Sequence, residues 1–339
     1  MILSMLAVGL GRRAGIDIAL TKYQIAREKA DYLAWGALNY ALNLVKKDSE
    51  ETGKEKVDTL YACGIRLKDG QTPESIFSNV AMGEGHMTIS YEPKGLQPSN
   101  RVYYGLSDEE RKINLNALTN QNYKILSHLI VLSGFSEEKA MGIAASAVDW
   151  KDTDSNVTHS PYGAEDNDYM SLSRPYHCKN MPFDSVEELL LVKGMTSEIY
   201  DKIKNVITVF PREGAGLTIN IHTAPEIVIK ALARLYTGDI TNTETADADS
   251  LVEKILSLRR GEDSQEMTAD DRLIEQTDLG LNAKENVLFL TMQSQMTKEA
   301  RFLRMNIKAR DRHSGIENQI EAVITRDDLS IVYWRRGQQ

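Results

Sequence analysis

Cysteine is scarce in this 339-residue chain, which holds only Cys63 and Cys178. Two thiols 115 residues apart form neither a CxxC pair nor a disulfide-dense framework, and the spacing leaves open whether they pair. No four-ligand zinc spacing exists either, although His159, His177 and Cys178 lie near one another in sequence. A basic excess is also lacking. Forty Lys and Arg stand against 49 Asp and Glu, for a net charge of −9. That balance counts against nucleic acid as the main partner, because neutralising phosphates supplies most of such an affinity. The opening apolar run, MILSMLAVGL, is ten residues long, well short of the roughly 20 that cross a bilayer. Its charges, Arg12 and Arg13, follow the run, whereas a secretory signal places them before it. It reads either as the second half of a membrane helix whose beginning lies upstream or as the buried start of an ordinary helix. Catalytic signatures are missing as well: Ser, His and Asp are scattered without a nucleophile elbow, and His222, next to a helix start, reads as structural.

What is present begins with a long helical pattern. Ile16, Leu20, Tyr23, Ala26, Ala30, Leu33, Ala37, Ala41 and Leu44 recur in steps of three and four, one apolar stripe. With no proline in the way, the spacing predicts one helix from about residue 2 to 46. After the charged break DSEETGKEK, strand patterns follow at Thr59 to Leu67, His86 to Tyr91 and Arg101 to Tyr104. Near the end, Ala300 to Ala309, Gln319 to Thr325 and Ser330 to Arg335 read as antiparallel strands, with His313-Ser314-Gly315 as a tight turn. Strands thus flank a helical middle. That middle carries an echo, since INLNAL at Ile113 and INIHTAP at Ile219 each precede a helix. Thr119 and Thr223 are the expected N-caps, with Pro225 in the first turn. Between the echoes, Asp184 or Ser185 caps the first of two short helices separated by Gly194. The simplest account is an α+β fold with a helical insert, and a one-piece α+β domain is the alternative.

The most chemically informative stretch is DWKDTDSNVTHSPYGAEDNDY, residues 149–169. It holds six carboxylates, Asp149, Asp152, Asp154, Glu165, Asp166 and Asp168, against one fixed cation, Lys151. Folding them together requires a bridging cation or screening water, and calcium takes six to eight oxygens from such loops. Asp152, Asp154 and Asn156 repeat the opening of an EF-hand. Val157 in place of the turn glycine and Gly163 in place of the bidentate glutamate exclude that motif. Trp150, Tyr162 and Tyr169 punctuate the charges and suggest a loop pinned to a core. A solvated acidic loop is the plain alternative.

In this stretch and beyond it the chain resembles the type II secretion minor pseudopilin K family (general secretion pathway protein K). AVDWKDTD, GAED with Tyr169, Pro175-Tyr176 with Asn180, the run from Glu188-Leu189 to Gly194-Met195, and INIHTAP follow that family's motifs in order, with His222 departing from the usual asparagine. The resemblance implies a pseudopilin fold: a long amino-terminal helix on a small antiparallel sheet, with a large inserted α-helical domain. The expected division is 1–47 for the helix, 48–106 and 286–339 for the sheet, and 107–285 for the insert. It further implies calcium as a structural fastener held by Asp152, Asp154, Glu165, Asp166 and Asp168, with Asp149 less certain because it could face the core. A place at the tip of a periplasmic pseudopilus follows, with the minor pseudopilins I and J as partners and the inner membrane as anchor. No small-molecule substrate and no nucleic acid are expected. Family members begin with a basic leader and about twenty apolar residues. This chain starts partway through that stretch, as a fragment or a miscalled start would.

Two other classes remain in view. A helix-hairpin-helix-like DNA-binding protein would share the strand-then-helix motifs near Asn220 and Gly194, although the acidity opposes it. A metal-dependent hydrolase built on the carboxylate loop would show calcium-dependent turnover.

Overall fold

The computed structural model describes residues 2–50, 57–60, 65, 67–68, 70–91, 102–214, 216–238 and 241–337. Helix α1 (Ile2–Glu50) is 49 residues long, so it extends about 74 Å at 1.5 Å per residue. Its two halves live in different surroundings. Ala26, Ala30, Ala34, Ala37, Leu38, Ala41 and Val45 are buried, the i, i+3, i+4 stripe of a helix lying on a partner. Ile16, Leu20 and Tyr23, on the same stripe further up, are exposed, because no sheet lies beneath them. Among the described residues no helix is long and apolar enough to cross a membrane.

The surface under α1 is an antiparallel sheet. Helix α2 (Pro73–Phe77) leads into β1 (Val80–Met82) and β2 (Gly85–Tyr91), followed by the short β3 (Tyr103–Tyr104) and β4 (Ser107–Asp108). The sheet is completed from the far end of the chain by β9 (Phe302–Asp311), β10 (Glu317–Thr325) and β11 (Ile331–Arg336), in the order β1-β2-β9-β10-β11. β3 pairs with β2, and β4 with β9. Alternation sorts the faces. Leu303, Met305, Ile307 and Ala309 of β9, with Ile320, Ala322 and Ile324 of β10, form one core with α1. The small alanines of α1 let its backbone come close to these strands. Trp35 of α1 stacks on Trp334 of β11 at 5.6 Å, and Arg336 pairs with Asp31 at 2.6 Å.

The helical unit leaves this sheet after β4 and returns before β9. It contains β5 (Ile113–Asn114), α3 (Lys124–Leu132), α4 (Glu137–Asp149), α5 (Asp166–Met170), α6 (Ser197–Ile203), β6 (Ile207–Thr208), β7 (Ile219–Asn220), α7 (Glu226–Leu235), α8 (Thr245–Arg259), α9 (Ala283–Met292) and β8 (Met296–Thr297). Its helices pack in the chain α4-α3-α7-α8-α9 around a separate core. The two sequence echoes are two-residue parallel bridges, β5 to β6 and β7 to β8.

Several expectations need correction. Helix α1 runs through to Glu50, a few residues beyond the expected end. Thr119 and Thr223 do not cap helices: the caps are Tyr123 and Pro225. The hydroxyl of Thr223 donates instead to buried Asp108 at 2.7 Å. Ser185 does cap a 3-10 turn, Val186–Leu191. Of the strand expected over Thr59 to Leu67, the described positions lie outside any strand, and the rest fall outside the described residues. Cys63 and Arg101 also fall outside them, while Cys178 is buried as a free thiol.

Candidate metal centre

The acidic loop hangs from the C-terminal end of α4. Asp149, its last residue, is fully buried and acts as an internal template. Its Oδ1 accepts the Thr158 amide at 3.1 Å and its Oδ2 the Ala164 amide at 2.9 Å. This closes the loop on itself. The fit requires Gly163, which sits at φ +101°, where a Cβ would stand 2.3 Å from Asp149 Oδ2. The aromatics do the pinning expected of them: Trp150 packs edge-on against Tyr169 at 5.2 Å and Tyr176 at 6.2 Å. Tyr169 in turn accepts the Lys193 amide.

On this frame three of the five proposed ligands converge. Asp152, Asp154 and Glu165 each place one carboxylate oxygen within 4.8 Å of the others. Glu165 is buried, Asp152 half-buried and Asp154 exposed. Oδ1 of Asp152 and both carboxylate oxygens of Glu165 are buried without a hydrogen-bond partner. Native folds rarely leave such acceptors unpaired. Burial, and then the nearby charges of Asp149, Asp152 and Asp154, push Glu165 up to about 7; the Asp166 amide opposes this only weakly. Burial followed by the charges of Asp154 and Asp149 also raises Asp152. A hard divalent cation would supply the missing partner for these oxygens and reverse both shifts. The donor set therefore fits calcium.

The other two residues face elsewhere. Asp166 accepts from His177 Nδ1 at 3.0 Å and from the Cys178 amide at 2.8 Å, and those bonds hold its carboxyl below the usual range. Asp168 takes Lys193 Nζ at 2.8 Å and the Glu165 amide at 3.1 Å, and is likewise lowered. Both orient the backbone that presents Glu165. Sequence reasoning grouped them with Asp152, Asp154 and Glu165 because all five share one acidic run. It missed that their partners, His177 and Lys193, arrive from outside that run. His222 is buried, and its Nδ1 accepts the Ile274 amide at 3.3 Å, the structural role expected of it.

A long helix seated by an alanine stripe on an antiparallel sheet, with a helical unit inserted between strands, is a pseudopilin fold. The whole architecture is similar to a solved structure described as "The Crystal Structure of the GspK-GspI-GspJ complex from enterotoxigenic Escherichia coli Type 2 Secretion System", with TM-score 0.64 at 18% identity, covering 94% of this chain and 99% of that one. The family described as "Type II secretion system (T2SS), protein K" matches residues 111–212, the stretch that holds the acidic loop. Among curated relatives, a putative type II secretion system protein K of Escherichia coli K12 is 29% identical over 169 residues, 47% of this chain and 50% of the relative. Type II secretion system protein K of Pseudomonas aeruginosa is 23% identical over 241 residues, 71% of this chain and 67% of the relative. The chain thus spans about half to two thirds of the length of these relatives.

Proposed function

We propose that this chain is the K-type minor pseudopilin of a type II secretion system. It sits at the tip of the pseudopilus, assembles with the minor pseudopilins I and J, and contributes to protein export across the outer membrane as a structural part, without catalysis. Helix α1 carries this reading. Its second half is covered by the sheet, while Met5, Val8, Leu10, Ile16 and Ile18 in its first half are exposed apolar residues with nothing packed on them. Exposed apolar side chains spread around one helix end in this way point to a lipid or protein partner. In this reading the apolar end belongs to the inner membrane, and most of the chain lies in the periplasm. The helical insert adds bulk beside the sheet, which suits a subunit on which no second copy stacks.

Calcium is part of the proposal. Asp152, Asp154 and Glu165 hold the ion, and Asp166 and Asp168 position the Glu165 turn. The ion neutralises a cluster that is otherwise self-repelling, so its role is structural. The test is reconstitution: the full chain, in detergent, is mixed with minor pseudopilins I and J from the same system and resolved by size-exclusion chromatography. A stable ternary complex, together with loss of export in a strain lacking this chain, is the expected result. Absence of any complex at micromolar concentrations, with export intact in the deletion strain, removes the proposal.

A further inference from the structure

The face of the sheet turned away from α1 looks into a cleft. Strands β9 to β11 form one wall and the helical unit the other, and the cavity between them measures about 530 Å³, within the usual range for ligand sites. In a chain of net charge −9, this cleft is cationic. Arg111, Lys112, Lys204, Arg304, Lys308 and Arg335 line it, against the carboxylates of Asp184, Glu187 and Glu321.

Most of those charges are already spoken for. Arg304 and Lys112 hold buried Glu109, Arg304 and Arg335 hold Glu321, and Lys204 holds Asp201. Asp184 pairs with Lys179 and Glu187 with the hydroxyl of Tyr200. Two cations are left over. Lys308 is exposed and, among the described residues, has no ion pair. Arg111 is only 5% exposed, yet its Nη2 is buried without a hydrogen-bond partner. Asp108 is the carboxylate that feels its charge; its Oδ2 is committed to Asn220 and Thr223, and its Oδ1 is likewise buried without a hydrogen-bond partner, so the two groups attract without bonding. The other charges that bear on Arg111 are the like charges of Lys112 and Arg259. A buried guanidinium whose Nη2 has no bonded partner is unfavourable unless something completes it, and its planar fork matches a carboxylate.

We infer that this cleft is a docking site for a carboxylate-rich polypeptide segment, with Arg111 as its deep anchor and Lys308 as an outer contact. The cleft's own carboxylates disfavour a compact polyanion, whereas side-chain carboxylates spaced along a peptide reach single cations between them. Tyr200 and Tyr333, also in the lining, offer the aromatic contact area typical of protein recognition. The inference is independent of the pseudopilin reading and of calcium.

The probe is a hexaglutamate peptide, titrated calorimetrically into the full chain in detergent at low salt, with hexaglutamine and inorganic phosphate as comparisons. Submillimolar binding of hexaglutamate alone is expected. Arg111→Met should weaken it about tenfold or more, the scale of one lost charge-assisted bond, and Lys308→Glu should also weaken it severalfold. Without peptide, Arg111→Met should melt no lower than the parent, since it removes an unpaired buried charge. A lower melting temperature marks a structural arginine and overturns the assignment, as does unchanged affinity in either variant. Phosphate binding as tightly as the peptide overturns the polypeptide class. Should Arg111→Met fail to fold, Lys308→Glu, at an exposed position, decides the matter alone.

Discussion

Chelation of calcium should lower the melting temperature of this protein, and the size of the drop follows from the site. Extracellular-type calcium sites bind at about 10⁻⁴ to 10⁻³ M. With 5 mM free calcium, linkage then contributes about 1–2.3 kcal/mol to the folded state. For a unit the size of the helical insert, each kcal/mol moves the transition by roughly 2–4 °C, so the expected shift is about 2–9 °C. Differential scanning calorimetry in calcium and in EDTA reads it directly. The variants sharpen the test. Asp154→Ala and Glu165→Gln should abolish the calcium response, and Glu165→Gln in EDTA should melt at or above the parent, because it relieves repulsion among Asp149, Asp152 and Glu165. Asp166→Ala should melt lower in both buffers while keeping its response, since Asp166 serves His177 and Cys178. The response also depends on pH. Glu165 is pushed up to about 7 from an ordinary 4.5, so without the ion its protonated form favours the folded state, and stability falls as pH rises through that window. Calcium requires the deprotonated carboxylate, so the increment should be small at pH 5 and full at pH 8. Identical melting in calcium and EDTA at pH 8 refutes the site.

Three further outcomes are expected. Gly163→Ala puts a Cβ against Asp149 Oδ2 at a positive φ and should destabilise by about 2–4 kcal/mol, seen as a lower midpoint in urea; a neutral result contradicts the template role of Asp149. Ala37→Leu overpacks the seat of α1 on the sheet and should cost about 1–3 kcal/mol in the same assay, whereas Ile16→Ala on the uncovered half should leave the midpoint of the isolated protein unchanged. Arg326→Met strands the buried carboxylate of Asp58, which Arg326 meets at 2.7 Å, and should cost about 3–5 kcal/mol; a melting curve equal to the parent's would show that Asp58 finds another partner.

Much of this architecture is legible in the residues because it rests on period. The alanine steps of α1 and the alternation in β9 and β10 each announce which face is covered. The caps were less legible. Thr119 and Thr223 carry the right side chain four and two residues too early, and the buried carboxylate of Asp108 outbids the helix for the Thr223 hydroxyl. Local propensity contains no record of a partner 115 residues away. The same limit applies to the acidic loop. Composition points to a cation, and the alternation of Asp152 and Asp154 marks one wall of the cluster. It cannot reveal that Lys193 and His177 come in from outside to claim Asp168 and Asp166, and so draw those two carboxylates away from the cluster. The partner strands β6 and β8 within the insert were missed for a related reason: two-residue bridges carry no period at all.

The joint between sheet and insert is where these long-range partners concentrate. The chain leaves the sheet through Asp108-Glu109-Glu110-Arg111, all buried, and returns through residues 296–302. Glu110 accepts the Arg301 and Phe302 amides at 3.0 and 3.2 Å, so the exit strand is tied to the return strand. Glu109 takes Arg304 and the Thr208 hydroxyl, tying sheet to insert, and Asp58 takes Arg326 and the Ala300 amide. Burial raises Asp108 to about 6 and Glu110 to about 8. At Glu109 burial acts the same way, but Arg304 and Lys112 more than offset it and hold the carboxyl low. Apolar side chains of equal volume would hold such a joint together at least as well. What they lack is direction, because dispersion contacts tolerate rotation and hydrogen bonds do not. A joint with a donor or acceptor aimed from each side therefore sets the angle between insert and sheet, and that angle is what aligns the walls of the cleft around Arg111.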